Sequence, residues 1–157
     1  MHDIPEDIIV DTAQVSVTKA PNKLVALGVG SCIVVTLYDP MLKIGAMAHA
    51  MLPDSTKSGL TSKPFKFADL AIDEMIRKME SLGSQRPNIE AKVAGGANMF
   101  PSLRHSSLRA GEENVQAVKE KLRKAGISLV GEVVGGSVGR SVEFDTASGI
   151  VTVRVKI

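Results

Sequence analysis

The sequence predicts an α+β domain with a mixed or antiparallel sheet. Three observations carry this prediction: short β-branched runs recur along the chain, two stretches show helical periodicity, and the C-terminus closes in an alternating hairpin. The 157 residues fit one globular domain spanning 1–157, without internal repeat or linker. Hydrophobic residues make up 44%, enough for a sizeable core, but only 3% are aromatic and seven are methionine, so the core is predicted to be aliphatic and methionine-filled.

Ile8 to Val17 mixes β-branched with polar residues, and Lys23 to Val29 is an apolar run ending in glycines; both read as strands. Ile33 to Tyr38 reads as a third, closed by Asp39-Pro40, which match the first two positions of a type I turn. Lys43 to Leu52 can return as its antiparallel partner. Residues Pro53 to Pro64 carry Ser, Thr, Lys, Gly and Pro with no period and read as a loop.

From Phe65 to Leu82, the residues Phe67, Leu70, Ala71, Met75, Met79 and Leu82 recur at helical spacing, with Gly83 as the stop. Ile89 to Val93 is a brief strand running into Gly95-Gly96, followed by an irregular connection from Ala97 to Arg109. A second helix spans Ala110 to Ala125, with Val115, Val118, Leu122 and Ala125 on one face and Gly126 as terminator. Ile127 to Val134 reads as a strand and Gly135 to Gly139 as a loop. Ser141 to Asp145, a turn at Thr146 to Gly149, and Ile150 to Ile157 form the closing hairpin.

Lys and Arg exceed Asp and Glu by 19 to 17, and the basic residues are interspersed with acidic ones rather than gathered with stacking aromatics. This disfavours a nucleic-acid partner. No apolar run approaches the roughly 20 residues needed to span a bilayer, and the acidic N-terminus lacks a signal pattern, so a cytoplasmic protein that is not membrane-inserted is expected. One cysteine and three separated histidines, His2, His49 and His105, offer no metal-ligand spacing, so neither metal nor cofactor is expected. The glycine clusters lack a dinucleotide fingerprint or a phosphate-binding GK[ST], which disfavours nucleotide binding.

The stretch ALGVGSC holds the only cysteine, Cys32. If the hairpin turn is centred between Pro40 and Met41, Asp39 faces Leu42, and counting outward puts Cys32 directly opposite His49. Facing residues of an antiparallel pair share one side of the sheet, with Cβ atoms roughly 4.5–5.5 Å apart. A loop one residue longer or shorter would throw the histidine to the other face. A cysteine so paired could attack a carbonyl carbon as thiolate, with the imidazolium later protonating an amine or ammonia leaving group. Gly28 and Gly30 would let a substrate approach the backbone closely, and N–H groups near Gly30 and Ser31 could hold an oxyanion. The bland reading stands beside this one: lone cysteines and histidines are more often core residues. Gly95-Gly96 and GGSVGR are more often tight turns than substrate loops, and Asn114 is by default a locally bonding helix residue.

Several segments together resemble one family. ALGVGSC, GAMAHAMLP, VAGGANMF, GEENVQAV and GGSVGRSVEFD follow the order of the CheD family, the receptor glutamine deamidases of bacterial and archaeal chemotaxis, from about residue 8 to the C-terminus. The resemblance implies hydrolysis of receptor glutamine side chains to glutamate, with Cys32 as nucleophile and His49 as general base and acid. Receptor glutamyl methyl esters are a further substrate that some members take. Gly95, Gly96 and Asn114 are candidate substrate-loop residues. It also implies a layered α/β/β sandwich with two main helices packed on one side, similar to the catalytic domain of cytotoxic necrotizing factor toxins. The expected partners are methyl-accepting chemotaxis receptors and a CheC-type phosphatase of phosphorylated CheY. One position departs from the pattern: members commonly carry a threonine that orients the histidine where this chain has Ala26. The resemblance therefore leaves the orientation of His49 to Ser31 or to a main-chain oxygen. It also keeps open a second role, as a binding partner and regulator of the phosphatase with little or no deamidation.

Overall fold

The computed structural model describes residues 4–53, 55, 62–98 and 110–155. Its nine strands and two main helices form three layers. One sheet has the order β1-β3-β8-β9 and the other β2-β5-β4-β6-β7. The first contains β1 (Asp7–Ile9), β3 (Lys23–Val29), β8 (Arg140–Asp145) and β9 (Val151–Val155). The second contains β2 (Gln14–Lys19), β4 (Ile33–Asp39), β5 (Ile44–Ala50), β6 (Glu90–Gly95) and β7 (Ser128–Val134). The pairs β1–β3 and β6–β7 are parallel and the others antiparallel, so both sheets are mixed.

Helices α1 (Ala68–Ser81) and α2 (Ala110–Ala125) cover one face of the five-stranded sheet. The other face of that sheet packs on the four-stranded one, which gives the α/β/β layering. The central strands explain themselves by pattern. Strand β4, with helices below and a sheet above, is an almost continuous apolar run, as a strand buried on both faces must be. Along β4, Ile33, Val35 and Leu37 point to the helices, and Val34 points to the other sheet. Along β5, Ala46, Ala48 and Ala50 face α1, while Met47 faces the sheet. Small side chains on that face let the helix pack closely. The core is aliphatic and methionine-rich, as composition predicts: Met47, Met75 and Met79 are fully buried.

Apart from shifts of a residue or two at other element ends, four differences from the sequence reading are found. The run Ile8 to Val17 is not one strand. It crosses from one sheet to the other at Val10 to Ala13, with Ala13 at φ 68. Helix α1 starts at Ala68, after a 3-10 turn over Pro64–Lys66, and its buried stripe is Ala68, Ala71, Ile72, Met75, Ile76 and Met79. Leu82 is left outward and exposed. Strand β5 stops at Ala50, because the N–H groups of Met51 and Leu52 turn away to the carbonyl of Lys66. Most of the loop expected over 53–64, and nearly all of the connection expected over 97–109, lie outside the described residues.

The fourth difference is the β4–β5 register. Asp39 pairs with Ile44, leaving a four-residue loop instead of a two-residue turn. The Asp39 carboxylate explains the longer loop: Oδ1 accepts the N–H groups of Met41 at 2.9 Å and Leu42 at 3.2 Å, and Lys43 closes it at φ 53.

Candidate active site

The register change alters the partner of His49. It faces Val34, and Cys32 lies one residue beyond the last rung of the ladder, Ile33 with Ala50. The expected facing of Cys32 and His49 is therefore wrong by two residues. A shift of two preserves the pleat, so the side chains keep to one side: Cys32 packs partly against the cluster between the sheets that contains Val34 and Met47. A diagonal neighbour in such a pair stands about 7–8 Å away, within reach of a long side chain.

Cys32 sits where the chain passes from one sheet to the other. Val29 is the last residue of β3 paired with β8, Ile33 opens β4, and Gly30-Ser31-Cys32 make the turn. Gly95 and Gly96 back this turn from behind. The Gly96 N–H donates to the Cys32 carbonyl at 2.8 Å, and the Ala97 N–H donates to that of Gly30 at 3.0 Å. Gly95 takes φ 104, and a Cβ there would overlap the Cys32 carbonyl oxygen, so only glycine lets the two backbones approach. Among the described residues, no main-chain acceptor outside the strands receives the N–H of Ser31 or of Cys32 from the turn.

His49 is buried, 3% exposed, and fastened to the crossover between β1 and β2. Its Nδ1 lies 3.2 Å from the carbonyl oxygen of Val10, and its own carbonyl accepts the Ala13 N–H at 2.8 Å. A carbonyl can only accept, so Nδ1 carries the proton and Nε2 carries the lone pair. Nε2 is buried with no partner among the described residues. A main-chain oxygen thus fixes the tautomer in which Nε2 is the open ring nitrogen. Ala26 lies next to this anchor: it is buried in β3 opposite Val142, and its neighbour Val25 accepts the Val10 N–H at 2.8 Å.

Burial sets the resting charges. It pushes the Cys32 thiol above its ordinary 9.0, with the residue's own N–H acting weakly the other way. It pulls the imidazole of His49 below its ordinary 6.5, against smaller contributions from the Val10 carbonyl and the charge of Asp11. Near neutral pH the resting pair is a thiol and a neutral imidazole.

Asn114 does not bond locally as its helical position suggested. It is fully buried, and its Nδ2 donates to the carbonyls of Ser31 and Met51, each at 3.0 Å. Two further residues escaped sequence reasoning. Val10 acts through its backbone, which no side-chain motif marks. Arg140, the last letter of GGSVGR, is buried and donates to three carbonyls: Val133 at 2.9 Å, Gly135 at 2.5 Å and Val138 at 3.2 Å. The loop over 135–139 is thereby folded around a guanidinium. It is joined to the turn's backing through the Gly135 N–H to Gly95 and the Asn98 N–H to Gly136. Among the described residues no group of three or more His, Cys, Asp or Glu could hold a metal ion, and no helix is long and apolar enough to cross a membrane.

The chain is thus a three-layer α+β sandwich with a cysteine turn between its sheets and, on the same side, a histidine oriented by a main-chain oxygen. Within that class the chain belongs to the CheD family. The family described as CheD chemotactic sensory transduction matches residues 51–155. A Clostridium botulinum protein (strain Hall) named probable chemoreceptor glutamine deamidase CheD is 43% identical over 150 residues, covering 95% of this chain and 93% of its own. A Desulforamulus reducens protein of the same name is 46% identical over 149 residues, covering 94% and 90%. Among solved structures, the hypothetical protein YfiH of Bacillus licheniformis shares the fold, with a TM-score of 0.51 at 17% identity. That match covers 78% of this chain and 51% of YfiH.

Proposed function

We propose that this chain, acting as one domain in the cytoplasm, deamidates glutamine side chains of chemotaxis receptors through a Cys32 thioester with His49 as base and acid. The observation that carries the reading is the state of His49: Nδ1 donates to Val10, while Nε2 is buried, unprotonated and unpartnered on the side where Cys32 lies. The names of the relatives supply the substrate class.

In this reading Nε2 takes the Cys32 proton as Sγ attacks the glutamine Cδ. The N–H groups of Ser31 and Cys32 are available to the oxyanion. The imidazolium returns its proton to the departing nitrogen, ammonia leaves, and a thioester remains. Water, deprotonated by the same Nε2, then attacks the thioester carbonyl, releasing glutamate and the thiol. Because both groups rest neutral, the thiolate forms during the attack rather than beforehand. A glutamyl methyl ester enters the same route with methanol as leaving group, which makes methylesterase activity part of the proposal.

A second reading keeps one specific support, the alanine at position 26. In it the chain serves chiefly as a binding partner and regulator of a CheC-type phosphatase. Incubation of purified protein with receptor fragments, read by peptide mass spectrometry, tests the first reading, and conversion of glutamine to glutamate is expected. Capture of a CheC-type phosphatase without any conversion would favour the second.

A further inference from the structure

The β4–β5 ladder ends at Ile33 and Ala50, and the two residues of the proposed chemistry flank that end. His49 lies just inside the last rung and Cys32 just outside it. Beyond the rung, the turn and the end of β5 each present a carbonyl oxygen, those of Ser31 and Met51. Two acceptors cannot bond each other. The Asn114 amide supplies what is missing, since its Nδ2 has two N–H donors and each carbonyl takes one at 3.0 Å. One side chain thus closes the gap between the nucleophile's turn and the histidine's strand, as an added rung would.

Two observations say that this bridge is more than helix packing. First, Asn114 is 0% exposed and its Oδ1 is buried without a partner among the described residues. An unpaired buried oxygen is a cost that a leucine of similar size would avoid, so packing alone does not account for an amide here. Second, the first turn of α2 is set tightly against the backing of the same turn. A Cβ on Gly111 would stand 2.5 Å from the Gly96 carbonyl oxygen and 2.7 Å from that of Ala97. Gly96 and Ala97 are the residues whose N–H groups hold Cys32 and Gly30. Helix α2 therefore abuts the residues that back the nucleophile turn and, through Asn114, ties that turn to Met51 just past the end of β5.

We propose that Asn114 is a positioning residue that sets the approach of Cys32 to His49 by bridging the Ser31 and Met51 carbonyls. The inference rests on the Cys32–His49 reading above. Its action is indirect, because both N–H groups of the amide are spent on main-chain carbonyls. Loss of the bridge lets the turn drift from the histidine, and displacements of about 1 Å cost on the order of 100-fold in rate.

Cys32 is the only cysteine, so alkylation by iodoacetamide reports on it alone. The experiment measures alkylation near neutral pH in the intact chain, in Asn114→Leu, in His49→Ala and in the double variant, with thermal unfolding as the check on folding. It also measures kcat and KM on a receptor fragment. Asn114→Leu is expected to stay folded and to slow alkylation roughly 10- to 100-fold. It should lower kcat with little change in KM and add nothing further in the His49→Ala background. Asn114→Thr, which keeps one donor, should fall between, and it replaces Asn114→Leu if that variant does not unfold cooperatively. Folded Asn114 variants with unchanged alkylation, or losses that multiply in the double variant, would overturn the proposal. If His49→Ala itself leaves alkylation unchanged, the Cys32–His49 reading falls and the positioning role falls with it, a result distinguishable from the other two.

Discussion

The carbonyl oxygen of Val10 lies 3.2 Å from Nδ1 of His49, and it determines which ring nitrogen is left free. No side chain makes this bond. It exists because the chain crosses between sheets at Val10 to Ala13, and the crossing depends on Ala13 holding φ 68.

A residue other than glycine in that region costs about 1–2 kcal/mol, and a β-branched one more. Ala13→Gly is therefore expected to raise stability by roughly 0.5–1 kcal/mol. Ala13→Val should lower it by about 1–2 kcal/mol and reduce deamidation by disturbing the Val10 carbonyl. Urea unfolding beside a kcat measurement checks both; equal stability of the two variants would contradict the strain argument.

His49 also predicts a pH dependence. Its folded pKa lies below the ordinary 6.5, so between those values the unfolded chain binds more protons than the folded one. The stability it contributes is complete above 6.5 and is lost as pH falls through the lowered folded value. With Nε2 as the proposed base, activity should decline on the acid side over the same range, below 6.5. The Cys32 thiol acts at the other end: raised above 9.0, it contributes stability below that pH that is lost as pH rises through its folded value. Unfolding curves across pH should show the acid slope reduced in His49→Gln.

Glycine substitutions separate the site from the fold. Gly95→Ala forces a Cβ into the Cys32 carbonyl at φ 104, so it should destabilise by about 2 kcal/mol or more and depress Cys32 alkylation even in the folded fraction. Gly45→Ala places a Cβ 2.7 Å from the Phe144 ring between the sheets. It should destabilise by about 1–3 kcal/mol yet leave alkylation of the folded protein unchanged.

Arg140 offers a test of the loop over 135–139. Arg140→Met leaves the carbonyls of Val133, Gly135 and Val138 without their donor, at about 1–3 kcal/mol for each that stays buried and unpaired. A net loss of at least about 2 kcal/mol in urea unfolding is expected, since some carbonyls will find water. Lysine is a poor replacement, because one ammonium cannot reproduce the planar fork.

Much of this fold was legible in the chain. Helix α2 and the first strand of the closing hairpin follow from the 3.6 and 2.0 periods of their buried residues, whereas the layering was implied by the family resemblance alone. The crossover within Ile8 to Val17 was not legible, because alternation looks alike in one strand or in two that lie in different sheets. A left-handed alanine gives no warning either. The hairpin loop was misread because its length depends on a side-chain bond, from Asp39 to Met41 and Leu42, and on Lys43 at positive φ instead of a glycine. A slip of two residues still keeps Cys32 and His49 on one side of the sheet, so the misread loop does not separate them. Asn114 could be picked out but not understood, since its bonds reach 83 and 63 residues along the chain.

With Cys32 as the proposed nucleophile and His49 as its base, turnover requires both side chains. The most direct measurement is the conversion of glutamine to glutamate in a receptor fragment, quantified by peptide mass spectrometry for the unmodified chain, Cys32→Ala and His49→Ala, each shown to unfold cooperatively. Conversion is expected from the unmodified chain and none above background from either variant. Conversion by Cys32→Ala at the unmodified rate, or none by the unmodified chain, would contradict that assignment.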